Sequence, residues 1–136
     1  MRLLRAVSLS LGVLLATAVL IDVAVGGVAR PMRWEIPAGM EGWVLAQFAD
    51  PACPAMGSDG IFMVGVVGAD GRACTSSDLP RGWQYRRFEA VGPNGRAQIG
   101  RNLITYRGVD EVRQREAFFV GPANRADPQL LPPDWR

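Results

Sequence analysis

Cys53 and Cys74 are the two cysteines of the chain, and the residues around them restrict the fold more than any other stretch. From Gly42 an apolar segment runs to Phe48, a turn-rich stretch follows to Gly60, and a second apolar run covers Ile61 to Val67. Asp70-Gly71 then turns the chain toward Cys74. This is the pattern of two or three strands folded back on one another, with one sulfur near each end of the excursion. Closing that loop with a disulfide would stabilise the folded chain by about 3 kcal/mol, through the freedom it removes from the unfolded state.

Residues 1–29 indicate where such a bond could form. Arg2 and Arg5 precede an apolar run from Ala6 to Ile21, and small residues close the segment at Val23–Ala29. A basic start, apolar middle and small-residue end make a secretory signal, with cleavage after Gly26 or Ala29. The same residues, Ala6 to Val28, are also about long enough to stay as a membrane anchor. Either reading puts the remainder outside the cytoplasm, periplasmic, secreted or tethered to the inner membrane by residues 6–28. In an oxidising compartment two cysteines imply one structural disulfide. No cysteine lies near the boundary to carry a lipid.

The rest of the chain reads as short strands. Trp34 and Ile36 alternate with Arg33 and Glu35. Gly42 to Ala49 is apolar on both faces, which suits a central strand. Ile61–Val67 suggests a strand buried on both faces, and Gly65 within it a bulge or close backbone approach. Asp70-Gly71 predicts a hairpin, Trp83–Val91 alternates again, and Pro93-Asn94-Gly95 predicts another turn. Leu103–Tyr106 and Arg115–Val120 complete the set, and Pro-rich residues 123–136 read as a weakly ordered tail. No stretch after residue 30 holds a helical period for three turns. The expected fold is all-β: a small antiparallel β-sandwich, Ig-like or transthyretin-like, of seven to eight strands over residues 30–122, preceded by an N-terminal hydrophobic helix.

Composition then removes functions. The chain has no histidine, hence no usual general base and none of the commonest zinc ligand. It has no lysine either, which removes Ser-Lys dyads and Schiff bases. Beyond residue 29 there are 13 Arg against 12 Asp and Glu, too balanced for the basic face that nucleic acid requires. Two thiolates cannot close a metal site alone. No cofactor or metal is expected.

Several short motifs occur in a recognisable order: Ile36-Pro37-x-Gly39-x-x-Gly42-Trp43-Val44, Cys53-Pro54, Cys74-Thr75-Ser76-Ser77, Gly82-Trp83 and Phe118-Phe119-Val120-Gly121. With this pattern the chain resembles a family of small secreted or membrane-anchored bacterial β-rich domains of unknown function. The resemblance spans about residues 33–122. It implies export and a β-rich fold, and it brings no assigned activity.

A few residues remain as candidates for chemistry. Trp34 and Trp83, each beside polar residues, could offer an aromatic ligand surface. Arg86, with Arg87 and Arg81, could meet an anion or a lipid headgroup. Thr75, Ser76 and Ser77 could cradle a polar ligand, although such hydroxyls usually close turns. Ser76 or Ser77 with Asp78 could also form a small serine hydrolase, a carboxylate being the sole base left to activate them. Asp50, Asp59, Asp70 and Asp78 match no calcium loop. The reading these residues favour is a non-catalytic extracytoplasmic binding or assembly module of the cell envelope. Its partner would be an unknown envelope protein or small ligand, with the membrane reached through the N-terminal segment if that is uncleaved.

Overall fold

The computed structural model describes residues 29–82 and 84–136. The expected N-terminal hydrophobic helix lies outside the described residues, as does Trp83. Nine strands follow in order: β1 (Met32–Pro37), β2 (Gly42–Gln47), β3 (Gly57–Asp59), β4 (Phe62–Val66), β5 (Arg72–Cys74), β6 (Arg86–Gly92), β7 (Gly95–Gln98), β8 (Ile104–Asp110) and β9 (Arg115–Val120). Helical structure among the described residues is confined to four single 3-10 turns.

The strands form a five-stranded sheet in the order β3-β4-β1-β6-β7 and a four-stranded sheet in the order β5-β2-β9-β8. All-β holds, but the sheets are mixed rather than antiparallel. β1 runs parallel to both β4 and β6, and β2 runs parallel to β5. The Asp70-Gly71 turn shows why. Instead of joining β4 to β5 as a hairpin, it carries the chain from one sheet to the other, and the Leu45 amide donates to the Gly71 carbonyl at 2.9 Å. That bond starts the parallel β2–β5 ladder. Gly71 sits at φ +77°, and a Cβ there would lie 2.6 Å from the Trp43 carbonyl oxygen, so the crossing needs glycine. Pro93-Asn94, by contrast, does make the expected hairpin, between β6 and β7.

Period-two alternation divides the faces. Met32, Trp34 and Ile36 of β1 point inward with Phe88 of β6, and meet Val44, Ala46, Phe48, Phe118 and Val120 from the other sheet. Ring contacts cross the gap: Trp34 to Phe48 at 6.1 Å and to Phe118 at 5.8 Å, and Phe88 to Phe118 at 4.9 Å. Edge-on and tilted aromatic pairs of this kind add to the burial of the rings themselves. A Cβ at Gly65 would collide with the six-membered ring of Trp34, so Gly65 marks a close approach rather than a bulge.

The outward faces differ. On the five-stranded sheet Arg33, Glu35, Arg87 and Glu89 emerge beside Asp59 and Arg96. Arg33 lies 2.8 Å from Asp59 and 3.1 Å from Glu35, and Arg96 lies 2.9 Å from Glu35. Val66 shares this uncovered face and is exposed, so β4 is not buried on both sides as its apolar run suggests. On the four-stranded sheet Trp43, Leu45, Ala117 and Phe119 are covered by residues 122–136, which pack down as an ordered strap. Leu131 is fully buried against Leu45 and Ala117, the Trp43 indole N–H donates to the Asp127 carbonyl at 2.8 Å, and Arg125 meets Glu41 at 2.8 Å. The strap explains why β2 is apolar on both faces: each face has its own cover.

Candidate functional site

Cys53 and Cys74 form a disulfide with their Cα atoms 5.7 Å apart, fastening the Asp50–Met56 loop to the edge strand β5. The polar residues around it are occupied in holding this corner. The Thr75 hydroxyl accepts from the Ser77 amide at 3.1 Å, and the Ser77 hydroxyl accepts from the Met56 amide at 3.0 Å. The Ser76 amide donates to the Pro54 carbonyl at 3.1 Å. Thr75 is buried, while Ser76 and Asp78 are exposed. Among the described residues no carboxylate bonds to the hydroxyl of Ser76 or Ser77, so the serine-hydrolase arrangement has no geometric support. Asp50 approaches both sulfurs, but sulfurs joined to each other do not ligate as thiolates. Asp50 and Asp70 accept from the amides of Ala52 and Arg72, the ordinary work of turn residues.

The aromatic candidates separate. Trp34 retains 1% of its surface and is a core residue, not part of a ligand platform. Its polar neighbours Arg33 and Glu35 lie on the opposite face of the strand, so their polarity says nothing of Trp34. Trp43 is half-buried on the outer face beneath the strap, packed against Leu45, Ala117 and Leu131. Trp135, in the strap, lies under the Arg115 guanidinium at 4.6 Å.

Arg86 is the candidate around which a site is built. Arg86 and Arg87 are neighbours on β6 and therefore point to opposite faces, so they do not form one patch. Arg87 joins Glu89 on the outer face at 2.7 Å. Arg86 turns inward and grips Glu116 of β9 through two bonds, Nε to Oε1 at 3.0 Å and the terminal nitrogen to Oε2 at 3.3 Å. The Glu116 side chain has no exposed surface, and Arg86 retains 19% of its own. The Tyr106 ring stacks on the guanidinium at 5.3 Å. Burial foremost, and then the negative charge of Glu116, push the Tyr106 phenol well above its ordinary range. Phe88, Ile104 and Arg101 complete a cleft of about 250 Å³ where the sheets part between β6 and β8. It has an apolar floor, a phenol, a fixed guanidinium and a second, exposed one in Arg101. Glu116 was the residue least visible in sequence. Its one signal is position, because it shares the inward period of Phe118 and Val120.

Neither family models nor curated proteins match the sequence, so the motif pattern has no family-level support beyond its own order. Among solved structures the fold is similar to that of a protein described as a "Putative Lipoprotein from Bacillus anthracis". The two are 19% identical with a TM-score of 0.57, over 74% of this chain and 75% of that one. At that identity the likeness is one of fold.

Proposed function

We propose that the chain is a non-catalytic binding or assembly module of the bacterial cell envelope, lying outside the cytoplasm. The observation that carries this is the Cys53–Cys74 disulfide in a chain whose first 29 residues have an export pattern. Bonds of this kind persist in oxidising compartments. A fold shared with a protein described as a lipoprotein supports the same location. Where the module is tethered, residues 6–28 would serve rather than a lipid.

The Arg86 cleft is the binding surface in this reading. A rigid guanidinium beside an apolar floor and an aromatic ring is the mixture that small-ligand and partner sites use, whereas the hydroxyls of residues 75 and 77 are spent on the fold. Two measurements test the proposal. Intact mass after alkylation, with and without reduction, reads export and disulfide together. A processed or membrane-retained chain that alkylates only after reduction is the expected result, and free thiols in the unreduced sample overturn the location. A photo-crosslinking residue at position 106 should capture a discrete envelope partner or ligand. Crosslinking in the envelope that yields monomer alone counts against binding at this cleft.

A further inference from the structure

On the opposite face, where the strap meets the end of β8, the chain makes a second cleft of about 260 Å³. Four arginines line it. β8 pairs with β9 in register as far as Tyr106 opposite Phe118, then resumes at Gly108 opposite Ala117, leaving Arg107 as an inserted bulge residue. Bulges re-aim side chains, and this one delivers Arg107 to the cleft. Gly108 takes φ +140° to permit it. Arg113 comes from the β8–β9 turn, Arg115 from the outward face of β9 and Arg136 from the strap.

The two carboxylates present leave this charge half-neutralised. Asp110 accepts from the Arg113 amide at 2.9 Å and meets its guanidinium at 3.3 Å. That amide bond first, and then the charges of Arg113 and Arg115, hold Asp110 below the usual carboxylate range. Asp134 meets Arg115 at 3.3 Å. Arg107 and Arg136 have no side-chain carboxylate partner among the described residues, Arg136 instead donating to the carbonyls of Leu131 and Gln129 at 2.9 and 2.6 Å, so the side chains leave a surplus of two positive charges. Arg115 is packed over Trp135 with 11% of its side chain exposed, and its terminal nitrogens already bond to Asp134, so it contributes fixed positive charge to the cleft.

We infer that this cleft binds a phosphate-type oxyanion, either free or as the headgroup of a phosphate ester. Guanidinium forks match the tetrahedral oxyanion and its charge. The volume falls below the roughly 300–1,000 Å³ of sites for drug-sized molecules, which suits a single phosphorylated group. Arg136 and Trp135 lie on the strap and Arg107 on the sheet, so the bound anion would bridge the two and hold the strap down.

The test uses the full chain and two probes. Inorganic phosphate is titrated against sodium chloride of equal ionic strength, with thermal midpoint and tryptophan fluorescence as readouts. Vesicles of phosphatidylglycerol are compared with vesicles of phosphatidylcholine by co-sedimentation. Arg107 is exposed and takes no hydrogen bond among the described residues, so Arg107→Gln should leave the anion-free midpoint unchanged. It should weaken binding about tenfold or more, as expected for losing a charge-assisted contact. Arg72→Gln, on the edge strand β5, is the control and should bind as the wild type does. A saturable phosphate response lost in Arg107→Gln supports the site and marks a free anion as sufficient. Retention on phosphatidylglycerol alone, again lost in Arg107→Gln, supports it with the headgroup as source. No response to either probe, or one that survives Arg107→Gln, overturns it.

Discussion

Replacing Arg86 with methionine keeps most of the side chain's length but takes the guanidinium away from Glu116, whose carboxylate has no exposed surface. Two charge-assisted bonds, at 3.0 and 3.3 Å, are lost, and the neutral Tyr106 phenol beside the carboxylate cannot replace the charge. Leaving one partner of a buried pair uncompensated costs about 3–5 kcal/mol. A domain of this size has roughly 5–15 kcal/mol in total, so Arg86→Met should lower the thermal midpoint by about 15–25 °C. Glu116→Leu should cost less, about 1–2 kcal/mol, because Arg86 stands at the mouth of the cleft and its head can turn to water. The double variant, with an apolar pair in place of the ions, should return to within about 1 kcal/mol of the wild type. The assay is urea unfolding at neutral pH, followed by near-UV circular dichroism with the disulfide intact. The reasoning is refuted if Arg86→Met costs under about 1 kcal/mol, or if the two single losses simply add in the double variant.

Other outcomes follow from the same contacts. Cys53→Ser with Cys74→Ser should lose about 3 kcal/mol in denaturant titration, while the wild type takes up alkylating reagent only after reduction. Leu131→Ala should cost about 2–3 kcal/mol and shift Trp43 emission to the red as the strap loosens; an unchanged spectrum would show that the strap does not depend on that anchor. The raised pKa of Tyr106 makes its phenol harder to ionise when folded than when unfolded. Its stabilising contribution is therefore complete below the ordinary value of 10.0 and is lost as pH climbs beyond it. Tyr106→Phe should flatten that alkaline decline in stability, and should remove no phenolate absorbance from the folded protein at pH 10. A clear drop in that absorbance would contradict the assignment.

Strand existence was legible because alternation and turn chemistry are local. β1, β2, β6 and β9 all lie where the apolar period places them, and the Pro93-Asn94 hairpin forms as its residues dictate. Pairing is not local. Asp70-Gly71 supplies a turn whether the next strand returns to the same sheet or crosses to the other, and the decision rests with the Leu45 amide, far from the turn in sequence. The same limit hid the strap. Leu131 is one apolar residue among prolines, and what orders it is the Trp43–Leu45 face, which reads from sequence as if it belonged to the core. At the candidate cleft Arg86 was visible as a charge on β6. Its direction depends on which face of β6 is inward, and its meaning depends on Glu116, some thirty residues further on.

The parallel seating of β1 between β4 and β6 sets the order in which the chain can acquire its fold. The first strand has no sheet neighbour until β4 is available, and β2 in the other sheet pairs first with β5 and gains its second neighbour only with β9, nearly the last to be made. Long-range pairings of this kind close slowly. A chain threaded outward from its N-terminus would therefore emerge without a finished sheet to obstruct its passage, β3, β4 and β1 followed by the disulfide corner would be the first parts able to close, and the two layers would lock when β9 arrived and drew the strap down behind it.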